Sequence, residues 1–216
     1  FWQMEQLHNG LYANWLRTHS PATARRIALE WADVQAAFPT SKDSTTYGLG
    51  SDGSTDGTVN WSDDAAWKAL YLMQVHEVTG DPVALLYLEK MIPLVLLRFE
   101  DPNSTPVSAG TYPDGSTSGA AFTYSPYGIL YVASSTGSAQ YASTYEVGLA
   151  IAAEYVYQQT GYGSYSNYAI AEFTNLVTHF VGPSGNMFTQ LGLNTADTYY
   201  HKDQQDFYGY PKEGIT

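Results

Sequence analysis

Of 216 residues, 44% are apolar and 14% charged, the net charge is −12, and there is no cysteine. Such a chain can bury a core and is expected to form one domain rather than stay disordered. Disulfides, cysteine metal sites and thiol catalysis are excluded, and so acidic a surface is expected to repel nucleic acid and anionic membranes.

In chain order, residues 3–17 read as a helix with Met4, Leu7, Leu11 and Trp15 on one face. Next comes "SPATARRIALEWADVQAAF", where Ser20 can cap, Pro21 suits the first helical position, and Ile27, Trp31, Val34 and Phe38 form the apolar stripe before Pro39. These two segments predict a first αα-hairpin over about 3–38. Residues 40–60 form a long polar loop, of a length that is often functional inside a compact domain. A helix is expected from about Asp63 to Val78, then the turn "TGDP", then a helix from about Pro82 to Phe99 kinked at Pro93, giving a second hairpin over about 63–99.

A second long connection, 100–138, carries "DPNSTP", "YPDGSTSG" and "YSPYG", and "AAFTYSPYGILYV" has room for a short strand or two. Helices of about 139–159 and 165–181, joined by "TGYGS", predict the third hairpin. The tail is polar and rich in tyrosine.

The second and third hairpins repeat each other. Val75, Thr79, Gly80, Tyr87 and Phe99 recur 81 positions on as Val156, Thr160, Gly161, Tyr168 and Phe180. Leu94 and Val95 recur as Leu176 and Val177, shifted by one. Thr18 and Phe38 echo the separation of Thr79 and Phe99. Repeated αα-hairpins suggest a solenoid or a toroid. Long, unequal links between hairpins and short turns within them favour the all-α (α/α)6 toroid, whose long loops crowd one face. A full ring needs about twelve helices; the six expected here make about half of one.

The richest candidate site is "NWSDDAAW", residues 60–67. Asp63 and Asp64 admit two readings. Acidic residues behind a Ser62 cap offset the helix dipole, worth about 0.3–1 kcal/mol each. Alternatively, they are a carboxylate pair. Glycoside hydrolysis needs one carboxyl as acid and a second as nucleophile or base, at roughly 5–5.5 Å in retaining enzymes. The long loop before the pair, the flanking Trp61 and Trp67, and the small Ala65 and Ala66 favour the second reading. Neighbours on a regular helix point about 100° apart, so both reach one cleft only at the helix start. Like-charge coupling would raise one pKa and so supply the acid.

The segment "DDAAWKALYLMQVHEVTGDP" resembles the catalytic stretch of the bacterial and fungal endo-α-1,6-mannanase family of glycoside hydrolases: an Asp-Asp pair, a tryptophan after two more residues, an apolar inner helix and a "TGD"-type turn. "YGILYV" at 127–132 resembles the family's Gly-Gly-Ile-x-Trp segment, and "YEVGLAIAAEYVYQQTG" its next inner helix. The likeness runs over most of 20–190 in pattern, with few identities. It implies an (α/α)6 toroid, Asp63 as nucleophile, Asp64 as acid/base, no cofactor, and a polysaccharide or oligosaccharide substrate in a cleft lined by Trp61, Trp67, Tyr127, Tyr131 and Glu146. Where the family has Tyr-Lys-Asn and Asn-Glu, this chain has "YASTYEVG", with Glu146 near one of those asparagines, so different sugar contacts are expected. The tail "YGYPKEGIT" resembles the start of the family's fourth inner helix, which implies a chain ending halfway round the ring.

Other features carry less. The five histidines show no metal-ligand spacing, and His76 and His179 read as core or rim residues within apolar helices. The oxygen-rich stretch before Asp63 lacks EF-hand spacing. Tyr155, Tyr157, Tyr162, Tyr165 and Tyr168 read as packing, whereas Tyr127 and Tyr131 suit packing and ligand stacking equally. A start at Phe1 leads us to expect a removed N-terminal segment, and loops rich in Ser, Thr, Gly, Asn and Tyr suggest a secreted or periplasmic protein. Two alternatives stay open. One is another toroid carbohydrate enzyme, an unsaturated glucuronyl hydrolase or a polysaccharide lyase, although only nine Lys and Arg are available to neutralise a uronate. The other is a non-catalytic glycan-binding helical-repeat protein.

Overall fold

The computed structural model describes residues 2–37, 62–99, 106–107, 122–123, 140–175, 177 and 190–192. Six helices account for most of them: α1 (Trp2–Thr18), α2 (Pro21–Ala37), α3 (Ser62–Thr79), α4 (Pro82–Phe99), α5 (Ser143–Thr160) and α6 (Gly163–Asn175). Four short strands pair in two antiparallel ladders, β1 (Pro106–Val107) with β2 (Phe122–Thr123), and β3 (Gln140–Ala142) with β4 (Gln190–Gly192). The segment read as the first turn of α5 is thus a strand, and α5 starts at Ser143. With Tyr141 opposite Leu191, β3 takes its backbone partners from a segment about fifty residues away, which periodicity cannot signal. No described helix is long and apolar enough to cross a membrane.

The three hairpin turns share one construction. Thr18, Thr79 and Thr160 each donate a hydroxyl to the carbonyl four residues back, at Asn14, Val75 and Val156 (2.7–2.8 Å). Each hydroxyl then accepts the amide two residues on, at Ser20, Asp81 and Tyr162. The residue between them closes the helix by donating to the carbonyl of Trp15, His76 or Tyr157. It stands at positive φ, 47° for His19, 69° for Gly80 and 76° for Gly161, which ends the helix in the left-handed region. The following helix then starts on a proline in two of three cases, Pro21 and Pro82, where no amide partner is needed.

Helices α1, α3 and α5 form an inner layer and α2, α4 and α6 an outer one. The side-chain contacts establish the direction. His8, Asn9 and Tyr12 of α1 meet Tyr71, Gln74 and Glu77 of α3 in ascending order, so these helices are parallel. Ala66 and His76 of α3 meet Gly148 and Tyr155 of α5 in ascending order, so α5 is parallel as well. Repeat-related positions make these links: Gln74 reaches back to Asn9 at 2.8 Å, and Tyr155, 81 positions after it, reaches back to His76 at 2.7 Å.

Helix α3 packs against α1, α2, α4 and α5. That central position explains why its sequence lacks a one-sided apolar stripe: Ala65, Ala66, Ala69 and the run Tyr71–Val75 are all buried. Ala66 is small because α5 comes close, and a Cβ on Gly148 would lie 3.1 Å from the Ala66 Cβ. Ala66 thus permits the close approach of α5, and Ala65 beside it is fully buried. One expectation changes on α1. Leu7 is 76% exposed, while Glu5 and His8 are fully buried. Leu11 and Trp15 of the predicted stripe pack on the core, but the polar Glu5 and His8 share that interior and Leu7 points away from it. On α2, Ile27, Trp31 and Val34 are buried; Phe38 lies outside the described residues.

Candidate functional site

The N-terminal ends of the three parallel inner helices lie at one end of the bundle. Both long connections, 38–61 and 100–139, lead to that end, through α3 and through β3 into α5; the three short turns occupy the other. Asp63 and Asp64 fall in the first turn of the central inner helix, and Glu146 in the first turn of its neighbour. Helix N-termini carry partial positive charge, which stabilises carboxylates placed there. Trp67, one turn further along α3, is partly buried. Trp61, Tyr127 and Tyr131 lie outside the described residues.

Below this end lies a polar layer that hydrophobic patterning misses. Glu5, His8 and Lys68 are fully buried there and Gln74 is nearly so; Glu172, on α6, is fully buried as well. Lys68 stands one helical turn after Asp64. The amide of Asn9 links the layer, donating to Glu5 Oε2 at 3.2 Å and accepting from Gln74 Nε2 at 2.8 Å. His8 Nδ1 is 3.2 Å from Glu30 Oε1, and the His8 ring meets Tyr71 edge-on at 4.5 Å. Burial, reinforced by the charge of Glu30, pushes the Glu5 carboxyl up to about 8. Burial first, then Glu30 and Glu5, also raises the Tyr71 hydroxyl. A sequence signal for this layer existed: in "QMEQLHNG", Glu5, His8 and Asn9 follow the i, i+3, i+4 spacing of a buried face.

A second cluster sits at the opposite end. Tyr12 donates to Glu77 Oε2, and His76 Nδ1 lies 2.7 Å from the Tyr155 hydroxyl. Burial lowers the His76 pKa, against the opposing charge of Asp81, and burial with the Glu77 charge lifts Tyr155 to about 12. His76 thus behaves as a hydrogen-bonded rim residue. Among the described residues no group of three His, Asp or Glu has metal-site geometry. Tyr155 and Tyr165 pack on the core and Tyr168 is buried, whereas Tyr157 and Tyr162 are exposed.

No protein-family model matches the chain, and neither does any curated protein. Solved structures do resemble it. The GH76A α-1,6-mannanase of Salegentibacter sp. HEL1_6 aligns at a TM-score of 0.62 and 11% identity, over 92% of this chain and 48% of its own. An inactive variant of that enzyme, with two consecutive aspartates replaced by alanine, is known in complex with α-1,6-mannotetrose and aligns at 0.54, with 14% identity over 86% and 49%. The Lin0763 protein of Listeria innocua aligns at 0.57, with 13% identity over 88% and 43%. The cellobiose 2-epimerase of Spirochaeta thermophila DSM 6192 aligns at 0.54, with 18% identity over 84% and 43%. The described hairpins therefore have the (α/α)6 toroid fold, and the chain spans under half the length of these structures.

Proposed function

We propose that this chain is part of a carbohydrate-active enzyme, a glycoside hydrolase that cleaves a polysaccharide of the α-1,6-mannan type by a retaining mechanism. Asp63 attacks the anomeric carbon and Asp64 protonates the departing glycosidic oxygen, then takes a proton from the water that releases the glycosyl-enzyme. The observation that carries the reading is the position of this Asp-Asp pair, in the first turn of the central inner helix of a toroid. It is supported by a mannanase of the same fold that becomes inactive when two consecutive aspartates are replaced. Trp61, Trp67, Tyr127, Tyr131 and Glu146 line the cleft in this reading, no cofactor takes part, and the protein is secreted or periplasmic.

The test is incubation with α-1,6-linked mannooligosaccharides, reading reducing-end release, C2 epimerisation and binding together. Asp63→Asn and Asp64→Asn should each abolish release while the helical circular dichroism is kept. Near-normal turnover in either variant overturns the assignment. Binding without release points to a non-catalytic glycan-binding protein. Epimerised product points to a second reading, suggested by the fold shared with cellobiose 2-epimerase.

A further inference from the structure

Lys68, in the second turn of α3, is a charged side chain with no exposed surface. An ammonium taken out of water needs an anion beside it, because an unpaired buried charge is strongly destabilising. The helix register says where that anion stands. Asp64 is four residues before Lys68, about 40° from it round the helix and one turn nearer the N-terminus. Helical side chains lean toward the N-terminus, so Lys68 is carried up toward the turn of Asp64. Acid before base at this spacing is also the favourable order on a helix. Asp64 heads the stripe of Lys68, Tyr71 and Val75, all three fully buried. Asp63, about 140° from Lys68, heads a different stripe, where Trp67 and Leu70 are partly buried and Glu77 is exposed.

The other charged groups around the buried stripe are engaged, neutral or on another flank. Helices α1, α2, α4 and α5 pack on α3. From α1 come Glu5 and His8, both buried. Burial and the Glu30 charge push the Glu5 carboxyl up to about 8, so at neutral pH it is uncharged and gives Lys68 no anion. From α2 comes Glu30, which is joined to His8 at 3.2 Å. The described buried residues of α4 and α5 are all apolar. Glu146 stands in the first turn of α5. That helix meets α3 through Ala66, about 200° round from Lys68. On α3 itself, burial raises the Tyr71 hydroxyl and keeps it neutral. Asp64 is left as the carboxylate on the face of Lys68.

We propose that Lys68 is the buried counter-ion of Asp64, a positioning residue that holds the proton-donating carboxyl and sets the pH at which it carries its proton. The pairing rests on helix register; its catalytic consequence rests on the reading of Asp64 as acid/base given above. Two charges then act on Asp64 in opposite senses. Coupling to Asp63 favours its protonated form, and the Lys68 ammonium favours its ionised form. The balance lets one carboxyl give a proton to the departing oxygen and later take one from water. Without Lys68, Asp64 would hold its proton more tightly and be the poorer donor. Lys68, shut away from solvent, acts through Asp64 and touches no sugar.

The pairing is read without any reaction. In the whole enzyme, the Lys68 side chain is titrated by carbon-13 NMR in the parent, in Asp64→Asn and in Asp63→Asn. Asp64→Asn should lower the pH at which Lys68 loses its proton by at least about one unit, because a buried amine without its anion sheds the proton early. Asp63→Asn should lower it by clearly less. An unchanged Lys68 in Asp64→Asn overturns the pairing, as does a larger effect of Asp63→Asn. The tuning is read from the pH dependence of kcat/KM on α-1,6-linked mannooligosaccharides. Lys68→Met, close in shape and uncharged, should move the alkaline limb at least about one pH unit higher. A lower kcat/KM at every pH with that limb unmoved overturns the tuning role. A parent enzyme that releases no sugar overturns the hydrolase reading instead, and the NMR titration still decides the pair.

Discussion

The Tyr165 hydroxyl donates to the backbone carbonyl of Glu89 at 2.8 Å. That carbonyl would normally accept the amide of residue 93, and residue 93 is proline. A side chain from α6 therefore satisfies the acceptor that α4 leaves open, so a local defect in one hairpin becomes a tie to the next. Tyr165→Phe should cost about 1–2 kcal/mol, because the carbonyl loses its partner. Restoring the amide with Pro93→Ala should shrink that cost, and a double-mutant cycle by urea denaturation measures the coupling. Independent effects would show that Tyr165 does not compensate for Pro93.

Asp81 ties the start of α4 to α2. Its Oδ1 accepts the Val83 amide at 2.8 Å, capping α4, and its Oδ2 accepts the indole N–H of Trp31 at 2.9 Å. Trp31 is 2% exposed, so its N–H has no route to solvent. Asp81→Ala should destabilise by about 2–4 kcal/mol, combining a lost cap with an orphaned buried donor. Tyr162 occupies the equivalent place before α6 and supplies no capping carboxylate. Tyr162→Asp should therefore stabilise by about 1 kcal/mol, read as a higher urea midpoint.

The three turns provide an internal comparison of backbone strain. His19 adopts φ 47° where the other hairpins use Gly80 and Gly161. A non-glycine residue pays about 1–2 kcal/mol for that conformation. His19→Gly should raise the melting temperature, by somewhat less than that strain implies, because the ring also meets Trp15 edge-on at 5.1 Å. Gly80→Ala and Gly161→Ala should each destabilise by about 1–2 kcal/mol. A Cβ at either glycine meets nothing within 4 Å, so the whole loss would be conformational.

Glu5 makes stability depend on pH. Its folded pKa, about 8, stands above the ordinary carboxylate value of 4.5, so folding favours its neutral form. Its contribution is fully present below pH 4.5 and declines as pH rises through 8, a loss of order a few kcal/mol at about 1.4 kcal/mol per unit. His76 acts in the opposite sense. Its lowered folded pKa favours the neutral ring, so its contribution is present above pH 6.5 and lost as pH falls through the folded value. Glu5→Gln isolates the first effect. Thermal melts from pH 4 to 9 should show the variant gaining on the parent protein between pH 4.5 and 8, and parallel curves would rule out a neutral buried Glu5.

Much of the architecture was legible because the repeat is written locally. The Thr-Gly turns, Pro21 and Pro82 at helix starts, and the Ile27, Trp31, Val34 stripe all follow from neighbours within four residues. The face of α1 was legible only in part: Leu11 and Trp15 of the stripe pack on the core, but Leu7 is exposed and the polar Glu5 and His8 are buried. What makes that face internal is α3, which lies more than sixty residues away. The start of α5 was displaced for the same reason, because β3 is a strand only through its pairing with β4.

The aspartate pair divides along this line. Sequence by itself determined that Asp63 and Asp64 open a helix after a long polar segment, and the physical chemistry of a helix start explains why charges are tolerated there. Tertiary structure decided that this helix is the central one of three parallel inner helices, that Ala66 faces the close approach of Gly148, and that a buried polar layer lies beneath. Such relations depend on which helices become adjacent. Adjacency is set by contacts such as Asn9 with Gln74 and Gly148 with Ala66, between residues that no local pattern connects.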